Sequence, residues 1–111
     1  MLRADHEVIK ACNRVYRRFG VTHHQFQILR ILNAADEPLT QGTVGEHLLV
    51  SRANLSGLVD RMSKASLIRR RTSRRDRRVV MIDLTDRGRE ILSVLEPVRD
   101  SVESILFAEL D

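Results

Sequence analysis

The sequence predicts a mainly α fold with one small β element, an α+β arrangement, and three observations carry that expectation. Apolar residues recur at helical spacing in five stretches, bounded by capping residues, glycine or proline. One stretch breaks the pattern: Leu67-Ile68 and Val79 to Leu84 are short apolar runs on either side of Thr72 to Arg78, which holds no apolar residue. That reads as a hairpin with an arginine tip. Charge is also segregated, since Arg52 to Arg89 holds 12 Lys+Arg against four acids, a surplus of eight, while the rest has 7 against 11. A basic functional region therefore sits on a mildly acidic body. At 111 residues the chain is read as one domain, 1–111, long enough to bury a core and short enough to gain from a partner subunit.

The elements follow in order. Val8, Cys12, Val15 and Phe19 stand at 4-3-4 spacing, the seam of a first helix over 1–20 that Gly20 stops. Thr22-His23-His24-Gln25 is a capping box, with Thr22 as cap and Gln25 reaching back to its amide. The second helix runs through Phe26, Ile28, Leu29, Ile31 and Leu32 to about Ala35, apolar on more than one face and so central. Asp36-Glu37-Pro38 breaks it, and Leu39 to Gln41 leads into a short third helix capped by Thr40, with Val44 and Leu48 inward. Leu49-Val50 makes a tight turn before Ser51, the cap of a fourth helix with Leu55, Leu58, Val59 and Met62 on one buried face. Two helices so joined form a helix-turn-helix, whose second member suits a DNA major groove. After the hairpin, Thr85 caps a last helix over 86–111. Its residues Ile91, Leu95, Val98, Val102 and Ile105 repeat at 4-3-4-3, and Pro97 should kink or offset it. The two seams are most simply explained as halves of a dimer interface, the alternative being that both pack on the chain's own core.

Composition narrows the function. Seventeen of the 19 cations are arginine, which favours planar, bidentate contact with phosphate or guanine. No stretch approaches 18 apolar residues and no signal peptide opens the chain, so no membrane role and a cytoplasmic location are expected. One cysteine excludes an internal disulfide framework and agrees with a reducing compartment. His6, His23, His24 and His47 show no metal-site spacing, and nothing points to a catalytic group, a metal or another cofactor. For His23 and His24 a helix-start role is expected.

These residues resemble the multiple-antibiotic-resistance regulator (MarR) family of winged helix-turn-helix transcription factors, over roughly Thr22 to Leu95. The matching segments are T-H-H-Q-F-Q-I-L, L-T-Q-x-x-V, V-S-R-A-N-L-S-G-L-V-D-R-M, D-R-R-V-V-M-I-D-L-T and D-R-G-R-E, in order and at the family's spacing. The resemblance implies a winged helix-turn-helix DNA-binding region at 22–85, and N- and C-terminal dimerisation helices at 1–20 and 86–111. It further implies a homodimeric, ligand-responsive repressor of transcription on a near-palindromic site of double-stranded DNA, with a recognition helix in each major groove and a wing in the flanking minor groove. Carried over, the recognition contacts fall on Ser51, Arg52, Asn54 and Ser56, with Arg61 nearer the helix end. Arg52 suits guanine O6/N7, Asn54 suits adenine N6/N7, and Ser51 offers a phosphate its hydroxyl and the helix N-terminal amides. For Arg61 and Asp60 a surface or intramolecular ion pair is an equal alternative. In the wing the family's D-x-R falls on Asp76 and Arg78, the arginine for a narrow minor groove and the acid to hold the wing's arginines; Arg74, Arg75 and Arg77 are further minor-groove or phosphate contacts.

The resemblance also suggests a small aromatic effector in the cleft between DNA-binding and dimer regions, lined in part by His23 and His24. With only Tyr16, Phe19, Phe26 and Phe107 as aromatics, that cleft is expected to be mainly aliphatic. Cys12 lies on the apolar seam as a small core residue, although some family members sense peroxide through a cysteine in the first helix.

The sequence departs from the family pattern in several places. Ser66 replaces a glycine, Arg69 a common glutamate, and Thr72-Ser73-Arg74-Arg75 a more acidic, proline-containing tip, while Gly57 sits inside the recognition helix. By the resemblance the sequence reaches about the end of the family's long dimerisation helix, so the family's usual final helix is expected to be missing from it and the dimer to close without it. Two readings from other classes remain, each lacking a positive sequence feature: a protein–protein module, an antirepressor or scaffold whose basic face meets an acidic partner, and a winged-helix RNA binder.

Overall fold

The computed structural model describes residue 10 and residues 13–110, with side chains through residue 101. Helix α1 covers 13–18 of the described chain, and Gly20, at φ 72°, ends it as the sequence predicts. The Val21 amide donates to the Tyr16 carbonyl at 2.9 Å and turns the chain into α2, His23–Ala34. Both halves of the predicted capping box are present: the Gln25 amide donates to Thr22 Oγ1 at 3.2 Å, and the Thr22 amide to Gln25 Oε1 at 3.0 Å. Helix α2 is central, as its two-faced apolar pattern requires, with Phe26, Ile28 and Leu29 fully buried.

Strand β1, Leu39–Thr40, follows the Pro38 break, then α3, Gln41–Leu48, α4, Arg52–Lys64, β2, Ile68–Thr72, β3, Val80–Leu84, and α5, Asp86–Leu110. The three strands form one antiparallel sheet in the order β1-β3-β2, with Leu39 opposite Ile82 and Ile68 opposite Leu84. The sequence reading took Leu39 to Gln41 as a lead into the third helix. Leu39 and Thr40 are instead a two-residue strand, which exists because the free edge of β3 offers hydrogen bonds some 40 residues away in the chain. The core joins Tyr16, Phe26, Ile28, Leu29, Val44 and the inner faces of α4 and α5 to Ile82 and Leu84 of the sheet.

Two backbone details lock α4, the hairpin and α5 together. Helix α4 ends in a double bond pattern, Leu67 amide to Met62 carbonyl at 2.9 Å and Ser66 amide to Ser63 carbonyl at 3.0 Å, which requires a left-handed residue between them. Ser66 takes that role at φ 62°, so it carries the roughly 1 kcal/mol strain that a glycine would avoid. Thr85 then ties the turn to α5: its hydroxyl donates to the Ser66 carbonyl at 2.6 Å and accepts from the Gly88 amide at 3.0 Å. A Cβ on Gly88 would run into the Leu67 carbonyl, so only glycine lets α5 begin against this turn.

The seams divide. Val8 and Cys12 lie outside the described residues, as do the side chains of Val102 and Ile105. In α1 it is Tyr16 that enters the core, 1% exposed, while Val15 packs at the core's edge and Phe19 is 41% exposed. Leu95, expected on the outer seam of α5, is fully covered within the chain, because α5 turns Leu92 and Leu95 onto α2. Ile91 and Val98 remain at the edge, and Val94, which the seam omitted, is exposed. Helix α5 continues through Pro97 without interruption.

Candidate nucleic-acid interface

Helix α3 starts at Thr40, whose Oγ1 accepts from the Thr43 amide at 3.0 Å, and ends at Leu49, in left-handed conformation at φ 57° and almost entirely exposed. That turn sets α4 across α3 so closely that a Cβ on Gly45 would lie 2.9 Å from Leu55 Cδ2. Ser51 caps α4 as expected, accepting from the Asn54 amide at 3.2 Å. Its hydroxyl proton stays available to an incoming acceptor. The four apolar residues predicted inward, Leu55, Leu58, Val59 and Met62, are all buried, and Ser51, Arg52, Asn54, Ser56 and Arg61 are all exposed.

The exposed residues of α4 split between two flanks. Arg52 faces the wing and shares with Arg78 a cleft of about 400 Å³, whose remaining walls are Thr40, Gln41 and Gly42 at the start of α3, Leu55 of α4, Val79 and the strand residue Val80. The recognition helix, the first helix of the helix-turn-helix and the wing thus converge on one concavity with two guanidinium groups. Asn54 and Arg61 lie on the other flank, beside His24 at the start of α2. Of the pair weighed in the sequence, Asp60 is the one held internally: its carboxylate meets Lys64 Nζ at 3.1 Å and Arg70 Nη2 at 3.2 Å, and these cations hold it below the usual carboxylate range, Lys64 first. Arg61 forms no ion pair among the described residues. The Asp60–Arg70 contact ties the recognition helix to strand β2. Sequence reasoning missed Arg70, because a contact ten residues apart across two elements leaves no local periodicity.

In the wing, the tip closes through the Ser73 amide on the Val79 carbonyl and the Val79 amide on the Asp76 carbonyl, both at 2.9 Å. The acid-to-arginine bond expected from the D-x-R spacing is present in bidentate form, Arg78 Nε to Asp76 Oδ1 at 3.1 Å and Nη2 to Oδ2 at 3.2 Å. The Arg78 amide adds a third bond to Oδ1 at 3.0 Å. Arg78 accordingly draws the Asp76 carboxyl below its ordinary range, by its side chain first and then its amide. Arg74, Arg75 and Arg77 are exposed around this latch.

At His23 and His24 a cleft of about 270 Å³ is lined by these two residues with Asn13, Arg17, Val21 and Thr22, while the neighbouring Tyr16 and Phe26 are buried in the core. His23 begins α2 as read, its ring stacks on Tyr16 at 6.3 Å, and burial lowers its pKa, helped by His24 and Arg99. A larger cavity, about 400 Å³, lies where α2, α3 and α5 meet, lined by Arg30, Ile31, His47, Leu48 and Glu96 among others. Among the described residues no three His, Cys, Asp or Glu side chains cluster as metal ligands, and no helix is long and apolar enough to cross a membrane.

Helices α2, α3 and α4 packed with a small antiparallel sheet, the helix-turn-helix and the basic hairpin sharing one cleft, define a winged helix-turn-helix protein. A profile of the MarR family matches residues 19–79. The chain belongs to the MarR family. It is 34% identical over 92 residues to the HTH-type transcriptional regulator MgrA of Staphylococcus aureus, covering 83% of this chain and 62% of MgrA. It is 27% identical over 88 residues to the HTH-type transcriptional regulator PapX of Escherichia coli, covering 78% and 54%. The match thus spans little more than half the length of these relatives. The structure of S. aureus MepR in its complex with DNA superposes with a TM-score of 0.88 at 25% identity, over 96% of this chain and 78% of MepR. AbsC, a MarR family transcriptional regulator from Streptomyces coelicolor, shares the fold with a TM-score of 0.85 at 23% identity, over 99% and 75%.

Proposed function

We propose that the chain is a sequence-specific DNA-binding transcriptional regulator, a ligand-responsive repressor that acts as a homodimer on a near-palindromic operator. The observation that carries this reading is the cleft lined by both Arg52 of the recognition helix and Arg78 of the wing, together with the start of α3. Arg52 there offers a bidentate partner to phosphate or guanine, Arg78 presents the N–H groups that Asp76 leaves unused, and the likeness to a MepR–DNA complex supports DNA as the occupant. Ser51, Arg52, Asn54, Ser56 and Arg61 serve the major groove, and Arg74, Arg75, Asp76, Arg77 and Arg78 the minor groove. The apolar groups left at the surface of α1 and α5, Phe19 and Val94 with Val15, Ile91 and Val98 beside them, support a second copy docking there. The cavity where α2, α3 and α5 meet has the size of a small-molecule site and is the place proposed for an effector.

Selection of bound duplexes from a random DNA pool tests the reading. The expected product is a near-palindrome with half-sites about one helical turn, roughly 34–36 Å, apart. Failure to enrich any sequence, or binding that does not fall with salt, contradicts it.

A further inference from the structure

Gly57 stands in the middle of the recognition helix, where glycine weakens a helix relative to alanine. Nothing in the fold requires it. Its conformation is ordinary helix, and a Cβ built there would meet only the mobile end of Arg61, Nη2 at 3.8 Å. Gly45 and Gly88 are different, since a Cβ at either collides with its own chain. The space left at Gly57 belongs to a groove of about 380 Å³ on the flank of α4 away from the wing. Val50, Ala53 and Leu58 supply carbon to its lining, while Asn54, Arg61 and His24 supply polar edges.

We infer that Gly57 is a specificity-determining residue, whose missing side chain admits the C5-methyl of a thymine next to the adenine read by Asn54. This rests on the DNA-binding reading above. With α4 lying along the major groove, three residues of helix advance about 4.5 Å, between one and two of the roughly 3.4 Å steps between successive bases. So when Asn54 bonds one base pair, Gly57 lies over its neighbour. The chemistry fits as well, because a thymine methyl is the apolar feature of the major-groove edge and the groove offers it carbon flanked by hydrogen-bonding groups. A methyl on residue 57 would occupy that space and lift the helix from the bases.

The test uses the full chain and the duplex it enriches from a random pool, with Gly57→Ala and with uracil replacing each thymine in turn. Gly57→Ala should raise the unfolding midpoint by about 2–8 °C, because alanine is the better helix former. The same substitution should weaken binding to the selected duplex about 5- to 150-fold, the range of one mismatched base pair, and leave binding to scrambled DNA unchanged. One thymine per half-site should lose affinity on conversion to uracil with the unaltered protein and lose far less with Gly57→Ala. A variant that binds the selected duplex as tightly as the parent, or a site where no thymine methyl matters, overturns the inference. If the parent enriches no duplex at all, the DNA-binding reading itself falls, and this one with it.

Discussion

The recognition helix and the wing present their arginines in opposite ways. Helix α4 is fixed from behind: Leu55, Leu58, Val59 and Met62 are buried, Ser51 caps one end and the Ser66 turn closes the other. The wing tip has no such backing. Of β2 only Ile68 is buried, and Arg78 is set by its exposed bonds to Asp76. Hydrophobic burial is indifferent to salt screening and to neutral pH, whereas an exposed ion pair responds to both and adds little stability. On the proposed function, the reader of base edges is therefore backed by the core before DNA arrives, whereas the reader of the backbone and minor groove is held only by exposed bonds. Asp60, bonded to Arg70, is the strut between them.

The largest break in this contrast should come from the buried side. Met62 is completely covered, and Met62→Ala should cost about 2–5 kcal/mol in a denaturant melt, because a cavity is left beneath the recognition helix. A loss below 1 kcal/mol would mean that α4 is not held by its core face. Ser66→Gly should act in the other direction and more weakly. It relieves the positive φ and should gain roughly 1 kcal/mol with unchanged DNA affinity, measurable as a rise in melting temperature. Destabilisation instead would show that the serine side chain, rather than its backbone, matters to the turn.

Asp76→Asn should change stability least of all, since the carboxylate is exposed, and yet weaken DNA binding by freeing Arg78. The pH dependence follows from the lowered Asp76 pKa. A carboxyl held low contributes above its unfolded value, about 3.9, and that contribution is lost only as pH falls through the lower folded value. Between pH 5 and 8 the latch is fully charged, so its part in binding should stay flat in a titration over that window. A decline beginning near pH 6 would assign the effect to a histidine instead of the latch.

Much of this was legible in the residues, for a physical reason. The capping box at Thr22 and Gln25, the Ser51 cap, the Thr85 cap and the four-residue inner face of α4 are local: each depends on neighbours within one or two helical turns, and each stands in the structure as read. The D-x-R latch is local too, two residues apart. What the sequence did not disclose depends on distant partners. Strand β1 is two residues whose only reason is the edge of β3, and Arg70 finds Asp60 across two elements. Leu95 and Val94 exchange roles because a heptad count identifies an apolar stripe but not which side of it α2 will cover.

The division of labour between the two readers can be tested most directly by titrating Asn54→Ala and Arg78→Ala on the selected duplex and on a scrambled one across a range of salt. Asn54→Ala should lose about 1–3 kcal/mol on the selected duplex only, with preference relaxed at one base pair per half-site. Arg78→Ala should weaken both duplexes alike and lower the salt slope by about 1. Equal losses on both duplexes from both variants would contradict separate readers on a core-backed helix and a wing held by exposed bonds.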